Sequence, residues 1–470
     1  MARISRGFLA LSIVATCGFA QHAAPRGIAR LIAQDAARAL SSDDPRVRGE
    51  AALLVAAGAG HDHEARLLAL ATDPAPAARR RALLALGLLA TPVAVERLEA
   101  ALRTADARSS DDGVVAAYAL GLVPVERAST SVARTISRFR RGSWKRQHDA
   151  LLALLQAMKT QPERSELGAL RLLRGEESMR AGELRGALLT LLLPIDSSLE
   201  RRELERVLRR GSAPERRAIA EWICELAPGA RAAWREELLR LAQRDRDADV
   251  RALAIDGLAR AREPRVLELA ARALDSAAAA ERRAAAAAML AVGGVSGRDR
   301  LEEHLLGEPD AAPLGPVLEA LQAPPSPALV DLAARLAADS AAPARCRVAA
   351  AELLGRSAPA RAVPLLRALF RRVPEPELLA RTARALAQCS PTPAPLTQLI
   401  TPPATLVEDV PRWRALLAAG HPDAARQVLA TLQDPSANDD ARAAALTAWR
   451  QATVLEARES APGALAEILP

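Results

Sequence analysis

Apolar and polar positions along this chain recur with a helical period. From Val250, small or apolar residues fall at Val250, Leu253, Ala254, Gly257, Leu258 and Ala261. Offsets of 0, 3, 4, 7, 8 and 11 place them on one face of an α-helix. Asp247 and Asp249 stand just ahead, where a helix start favours negative side chains. The frame returns elsewhere. Cys346-Arg347 leads to Ala349, Ala350, Leu353, Leu354 and Gly355; Ala78-Arg79 leads to Ala82, Ala85, Leu86 and Gly87. Ala441-Arg442 leads to Ala444, Ala445, Ala448 and Trp449. Val115, Ala116, Ala119, Leu120 and Gly121 fit it with Gly113 in the arginine position. Val47-Arg48 opens the first copy, and Glu50 interrupts its stripe.

These frames start at 47, 78, 112, 250, 346 and 441, with separations of 31, 34, 138, 96 and 95. Each separation lies near a multiple of about 32, in the period range of helical repeat arrays. About thirteen copies follow, the degenerate ones near 144–157, 180–192, 214–226, 279–292, 313–321, 376–387 and 411–418. Turns precede the frames, as in Asp44-Pro45, Asp73-Pro74, Asp434-Pro435, and Asp339 with Pro343. Asp caps a helix start and Pro is tolerated in a first turn. Another amphipathic segment precedes each turn, as at 64–71, 93–103, 264–274 and 361–370. One unit is therefore helix A, a short turn and helix B. Leu253 and Leu258 are expected to face their own A helix and the adjacent repeats.

Asp-Pro-x-Val-Arg-x-x-Ala followed by Leu-Gly resembles the HEAT-repeat pattern, including its phycobilin-lyase-like (PBS-lyase-like) bacterial variant. Asp44-Pro45-Arg46-Val47-Arg48 is similar to its opening; Leu86-Gly87, Leu120-Gly121 and Leu354-Gly355 are similar to its end. The resemblance covers nearly all of the chain after residue 28. It implies an all-α fold, an α-solenoid or superhelix of about 13 helix-turn-helix repeats, with the B helices on the concave side. It also implies that Arg48, Arg79, Arg251, Arg347 and Arg442 form a structural ladder with the turn aspartates. The array is expected over 29–389, followed by a Pro-rich irregular segment at 390–411 and by C-terminal repeats and a cap at 412–470. Interior proline removes a hydrogen bond and clashes, so no regular helix pair runs through 390–411. A milder interruption falls at 309–327.

Composition agrees with a helical array. Hydrophobic residues make up 50% but aromatics only 2%, so strand formers are scarce and a large sheet is excluded. The net charge of +8 is carried almost wholly by arginine, with Lys145 and Lys159 the sole lysines, and acidic residues are interspersed among it. That pattern reads as solvated helix faces. Cys17, Cys224, Cys346 and Cys389 form no C-x-x-C pair, so no zinc or redox motif is evident. Cys224 and Cys346, like Trp222 and Trp449, lie on apolar stripes and are expected in the core.

The first residues read as an address. Arg3 and Arg6 precede an apolar run over 8–15, too short to span a bilayer. Gly18 and Ala20 suit cleavage before Gln21, so 1–20 is expected to be an export signal. Alternatively, Val14-Ala15-Thr16-Cys17 resembles a lipobox, which makes Cys17 the candidate lipidation site; a cytoplasmic protein with an apolar first helix is the third reading. The expected location is the periplasm or cell envelope. Membrane contact is then expected only through lipid at Cys17, and nucleic acid is not an expected partner.

Candidate chemistry is sparse. His61-Asp62-His63-Glu64 is the one dense run of metal-ligating types, but it follows Gly58-Ala59-Gly60 and reads as a turn. HEAT-like diiron hydroxylases carry His-Glu pairs on several repeats, and only His63-Glu64 makes such a pair here. No phosphate-binding Gly-rich loop, H-E-x-x-H or G-x-S-x-G is present. No catalytic residue, metal ligand or cofactor is assigned. The densest basic stretch includes Arg134 and holds Arg138, Phe139, Arg140, Arg141, Trp144, Lys145 and Arg146. Arginine with aromatics suits a docking surface, and Arg140 and Arg141 fall between stripes, where exposure is expected. The expected function is a non-catalytic scaffold that binds a protein or peptide. The alternative, from the resemblance alone, is a phycobilin-lyase-like enzyme or chaperone-lyase.

Overall fold

In a computed structural model of the chain, the described residues are 26–58, 60–105, 111–141, 144–158, 182–194, 199–321, 325–389 and 409–453. They form 25 α-helices and one short 3-10 turn, with no strand among the described residues. All the expected B frames are helices. They run Pro45–Gly58, Pro76–Leu89, Asp111–Leu122, Trp144–Met158, Gly182–Leu192, Ala213–Glu225, Ala248–Arg260, Ala279–Val292, Leu314–Ala320, Ala344–Ser357, Pro376–Gln388, Val410–Ala418 and Asp439–Thr453. Local chemistry sets their starts. Asp247 accepts a hydrogen bond from the Val250 amide at 3.0 Å, and Ser212 with Glu215 forms a reciprocal capping box. Pro76, Pro214 and Pro376 occupy first turns, where their missing N–H costs nothing.

The chain divides into two compact units, one made of Met1–Leu184 with Thr401–Pro470 and the other of Arg185–Ile400. Within each, an A helix packs on its B helix, and successive B helices pack on one another. The B layer is lined by small residues. Ala51, Ala82, Ala116, Ala254, Ala285 and Ala350 are fully buried. Glycine brings the backbones closer still. A Cβ on Gly87 would sit 2.5 Å from the Ala119 carbonyl oxygen, and one on Gly121 2.6 Å from Ala157 Cβ. The Leu-Gly ending of the frame is thus a requirement of contact with the next B helix.

In the first unit, the last repeat lies against the first. Helix Asp439–Thr453 packs on helix Pro45–Gly58, and helix Pro422–Gln433 packs on helix Arg26–Ala39. B meets B and A meets A, as between consecutive repeats. This pairing was not legible from the period, because it joins residues about 400 apart.

Two expectations need correction. Leu258 is fully buried but Leu253 is only half-buried, because the buried face of the helix also takes in Ala252 and Ile255 and turns away from Leu253. Trp222 is half-buried, whereas Trp449 is in the core. Glu50, which breaks an apolar stripe, is itself buried at 2% exposure. At 309–327 the B helix shortens to Leu314–Ala320. The Pro-rich segment lies outside the described residues until helix Val410–Ala418 begins.

Two substitutions probe this packing. Leu258→Ala should cost about 2–5 kcal/mol, as for buried leucines generally. Gly87→Ala should destabilise by about 1–3 kcal/mol through overpacking, even though alanine favours a helix over glycine by about 1 kcal/mol. Urea denaturation measures both. A Gly87→Ala chain as stable as the parent would show that helices Pro76–Leu89 and Asp111–Leu122 separate without cost.

Candidate functional site

The recurring arginine is a two-way tie. Arg48 donates to the carbonyl oxygens of Ser42 and Asp43 at 2.8 Å, closing its own turn, and to Asp73 of the next turn at 2.9 and 3.1 Å. Arg79 bonds the Asp73 carbonyl at 2.6 Å and Asp112 at 2.7 Å. Arg251 bonds the Asp245 carbonyl at 2.8 Å and Glu281 at 2.5 and 2.7 Å. Arg216, in a degenerate copy, does the same with Gly211 and Asp245. The ladder therefore forms at Arg48, Arg79 and Arg251 as expected, with a glutamate replacing aspartate at one rung.

It stops at two others. The Nε of Arg347 has no partner among the described residues, although the next turn and helix start carry Glu375 and Glu377. Arg442 bonds the carbonyls of Asp434 and Pro435, with Asp439 at 4.0 Å on its own repeat. Electrostatics follow the intact rungs. Burial alone would raise the pKa of Asp245, but hydrogen bonds from Arg216 and the Asp247 amide hold it below the ordinary value. Burial likewise works against Glu281, and Arg251 and Ser276 overcome it.

Where the last repeat meets the first, Glu50 receives two hydrogen bonds from Arg450 and lies 3.1 Å from an Arg81 nitrogen. Arg81 and Arg450 are 9% and 6% exposed, so this is a buried Arg–Glu–Arg group. Burial pushes the Arg81 pKa down, Glu50 opposes that, and Arg450 adds to it. Burial and Arg450 also lower the pKa of Arg414. Nearer solvent, Arg46 bonds Asp440 at 2.6 Å, and Gln433 reaches Asp35 at 3.4 Å. Sequence reasoning missed this group; its one visible signal was the charge at Glu50 inside an apolar stripe.

The proposed docking residues fall at one junction. Arg138, Phe139, Arg140 and Arg141 end helix Val125–Arg141, and Trp144, Lys145 and Arg146 begin helix Trp144–Met158. Their side chains lie outside the described residues, as does Cys17. Arg134, one step earlier, is exposed but spanned by both oxygens of Glu99 at 2.9 and 3.1 Å. An arginine–aromatic contact is seen elsewhere: Arg201 lies 5.0 Å from the Trp234 ring, which meets Trp222 edge-on at 5.9 Å.

The run at 61–64 is a 3-10 turn leading into helix Glu64–Leu70, and Glu64 accepts from the Thr91 hydroxyl instead of capping its own helix. No group of three or more metal-ligating side chains converges among the described residues. The Cys224 thiol, pushed up to about 12 chiefly by burial, donates to the Leu253 carbonyl, and burial pushes Cys346 up to about 11. At neutral pH both remain thiols and pack as small apolar groups. No described helix is long and apolar enough to cross a membrane.

The rungs predict acid sensitivity. Because the folded pKa of Glu281 lies below its ordinary value, its contribution is complete above that ordinary value and disappears as pH falls through the depressed one. Glu281→Gln should therefore shrink the drop in urea midpoint between about pH 7 and about pH 3. An unchanged drop would remove this rung from the acid response.

Residues 34–121 match the family model for HEAT repeats. No curated protein matches the chain. Among solved structures, Kap121p bound to Nup53p aligns with 93% of this chain and 44% of its own, at 12% identity and a TM-score of 0.24. The chain thus spans less than half the length of that protein, and a likeness at that score carries no argument here. Residues 34–121 are thus HEAT repeats, and the helix pairs of the other described residues repeat the same unit in an all-α solenoid.

Proposed function

We propose that this chain is a non-catalytic scaffold that binds a protein or peptide partner through its repeat array. The observation that carries the reading is where its charged groups are used. Arg48, Arg79, Arg216 and Arg251 of the ladder and Arg450 of the first-to-last contact are tied to carboxylates of neighbouring repeats. Such groups position backbone, and what the array then presents to its surroundings is extended helical surface, which suits contact with another chain. The junction of helices Val125–Arg141 and Trp144–Met158 is the favoured docking place, since its arginines and aromatics are types enriched at binding hot spots. Export under a signal at 1–20, with release into the periplasm or tethering through Cys17, completes the reading; the motif at the start of the sequence supports it.

Two measurements test this. Replacing Arg140 and Arg141 together with Glu should leave thermal unfolding nearly unchanged, within about 0.5 kcal/mol, and should weaken capture of a native partner. Unchanged capture would move the docking surface elsewhere; a large loss of stability would show both arginines to be structural. Mass spectrometry of the protein from its host should find a chain starting at Gln21, or a lipidated Cys17. An intact Met1 in the cytosol would overturn the envelope assignment.

A further inference from the structure

Consecutive B helices in this chain are held by a covalent connection, by helix packing and, at Arg48, Arg79, Arg216 and Arg251, by a rung to the next turn's acid. The contact between helices Asp439–Thr453 and Pro45–Gly58 keeps only the packing. No turn connects the two. Arg442, in the rung position, bonds the carbonyls of Asp434 and Pro435, and Asp44 of the first turn accepts from Arg46 instead. Other bonds substitute: Arg450 to Glu50 in the interior, Arg46 to Asp440 outside, and Gln433 to Asp35 between the A helices.

We infer that this contact is a latch, a joint that opens as a unit while the repeats on either side stay folded. The repeats it joins have their own neighbours on the far side. Helix Pro45–Gly58 also packs on helix Pro76–Leu89, and helix Asp439–Thr453 on helix Val410–Ala418. Opening the latch therefore removes one interface from each and leaves the other. In a repeat array whose stability is a sum of neighbour contacts, the interface without covalent connection is the one that separates alone. Breaking it parts Glu50 from Arg450 and leaves Glu50 beside Arg81 on the face that is uncovered. The interior ion pair and the helix packing around it are lost together, so the joint opens as a unit instead of loosening gradually. On the scaffold reading above, the surface uncovered on the first repeat would take an amphipathic helix carrying a guanidinium in the place of Arg450 and a carboxylate in the place of Asp440.

Hydrogen exchange of the full chain without any partner tests the latch separately from that scaffold reading. In the parent, helices 26–58 and 410–453 should exchange together and faster than helices 76–89 and 111–122 of the same unit. Arg450→Met should speed exchange in those two segments by about tenfold or more and leave 248–260 and 279–292 unchanged. Glu50→Gln keeps the side-chain shape and one acceptor, so it should loosen the same two segments by a smaller factor. It provides the measurement should Arg450→Met fail to fold. The latch is overturned if these variants leave both segments as protected as in the parent, or accelerate exchange equally along the whole chain.

Discussion

Gly87 leaves room for the backbone of Ala119, and Gly121 for Ala157, and the spacing of the B layer follows from approaches of this kind. A repeat of two short helices buries too little by itself to fold, so the contact with its neighbour is its core. The close approach also places one turn beside the next, within reach of a single arginine side chain. Alanine and glycine set the distance, and Arg48, Arg79, Arg216 and Arg251 fix the register. Larger residues at the glycine positions would push the turns apart and stretch the rungs.

The positive charge of the sequence takes on a different meaning in this setting. In the second unit, Glu319 receives both Arg345 and Arg381, and Arg381 also reaches Glu352, which adds charged hydrogen bonds to the packing of three B helices. Burial opposes ionisation of Glu319, but these two arginines hold its pKa below the ordinary value. Arginine suits the task because its planar fork bonds a carboxylate and a carbonyl at once. Much of the basic composition is thus committed to repeat-to-repeat geometry, so a net charge of +8 is poor evidence for a polyanion-binding surface.

The fold was readable from the sequence because its information is local and recurs. A stripe at 250–261 and an Asp-Pro turn at 44–45 each report on a helix or a cap within a few residues, and the repetition confirms the unit. Rungs were partly readable for the same reason, although Arg216 was hidden in a copy with a poor stripe and Arg347 forms no rung despite Glu375 and Glu377 in the next turn and helix start. Leu253 was misplaced because a single stripe does not show how far the buried face of the helix extends to its other side, where Ala252 and Ile255 are buried. The pairing of Glu50 with Arg450 was beyond such reasoning. A period of about 32 specifies neighbours, and nothing in it specifies that copy thirteen meets copy one. The residues proposed for docking at 138–146 stand out by composition alone, and the fold adds that they end one helix and begin the next.

The first-to-last contact also sets an order of events in time. A chain made from its N-terminus at about 5–20 residues per second takes about 20–80 seconds to pass from Glu50 to Arg450. Through that interval the first repeat is complete on one side and bare on the other, with an apolar stripe and an acidic group awaiting a partner not yet synthesised. A nascent chain in this state resembles a zipper with its lowest tooth open, and it is the form most exposed to mispairing with other unfinished copies. Holding such a chain unfolded until helix Asp439–Thr453 has been made, or shielding helix Pro45–Gly58, would matter more here than for an array without this long-range contact.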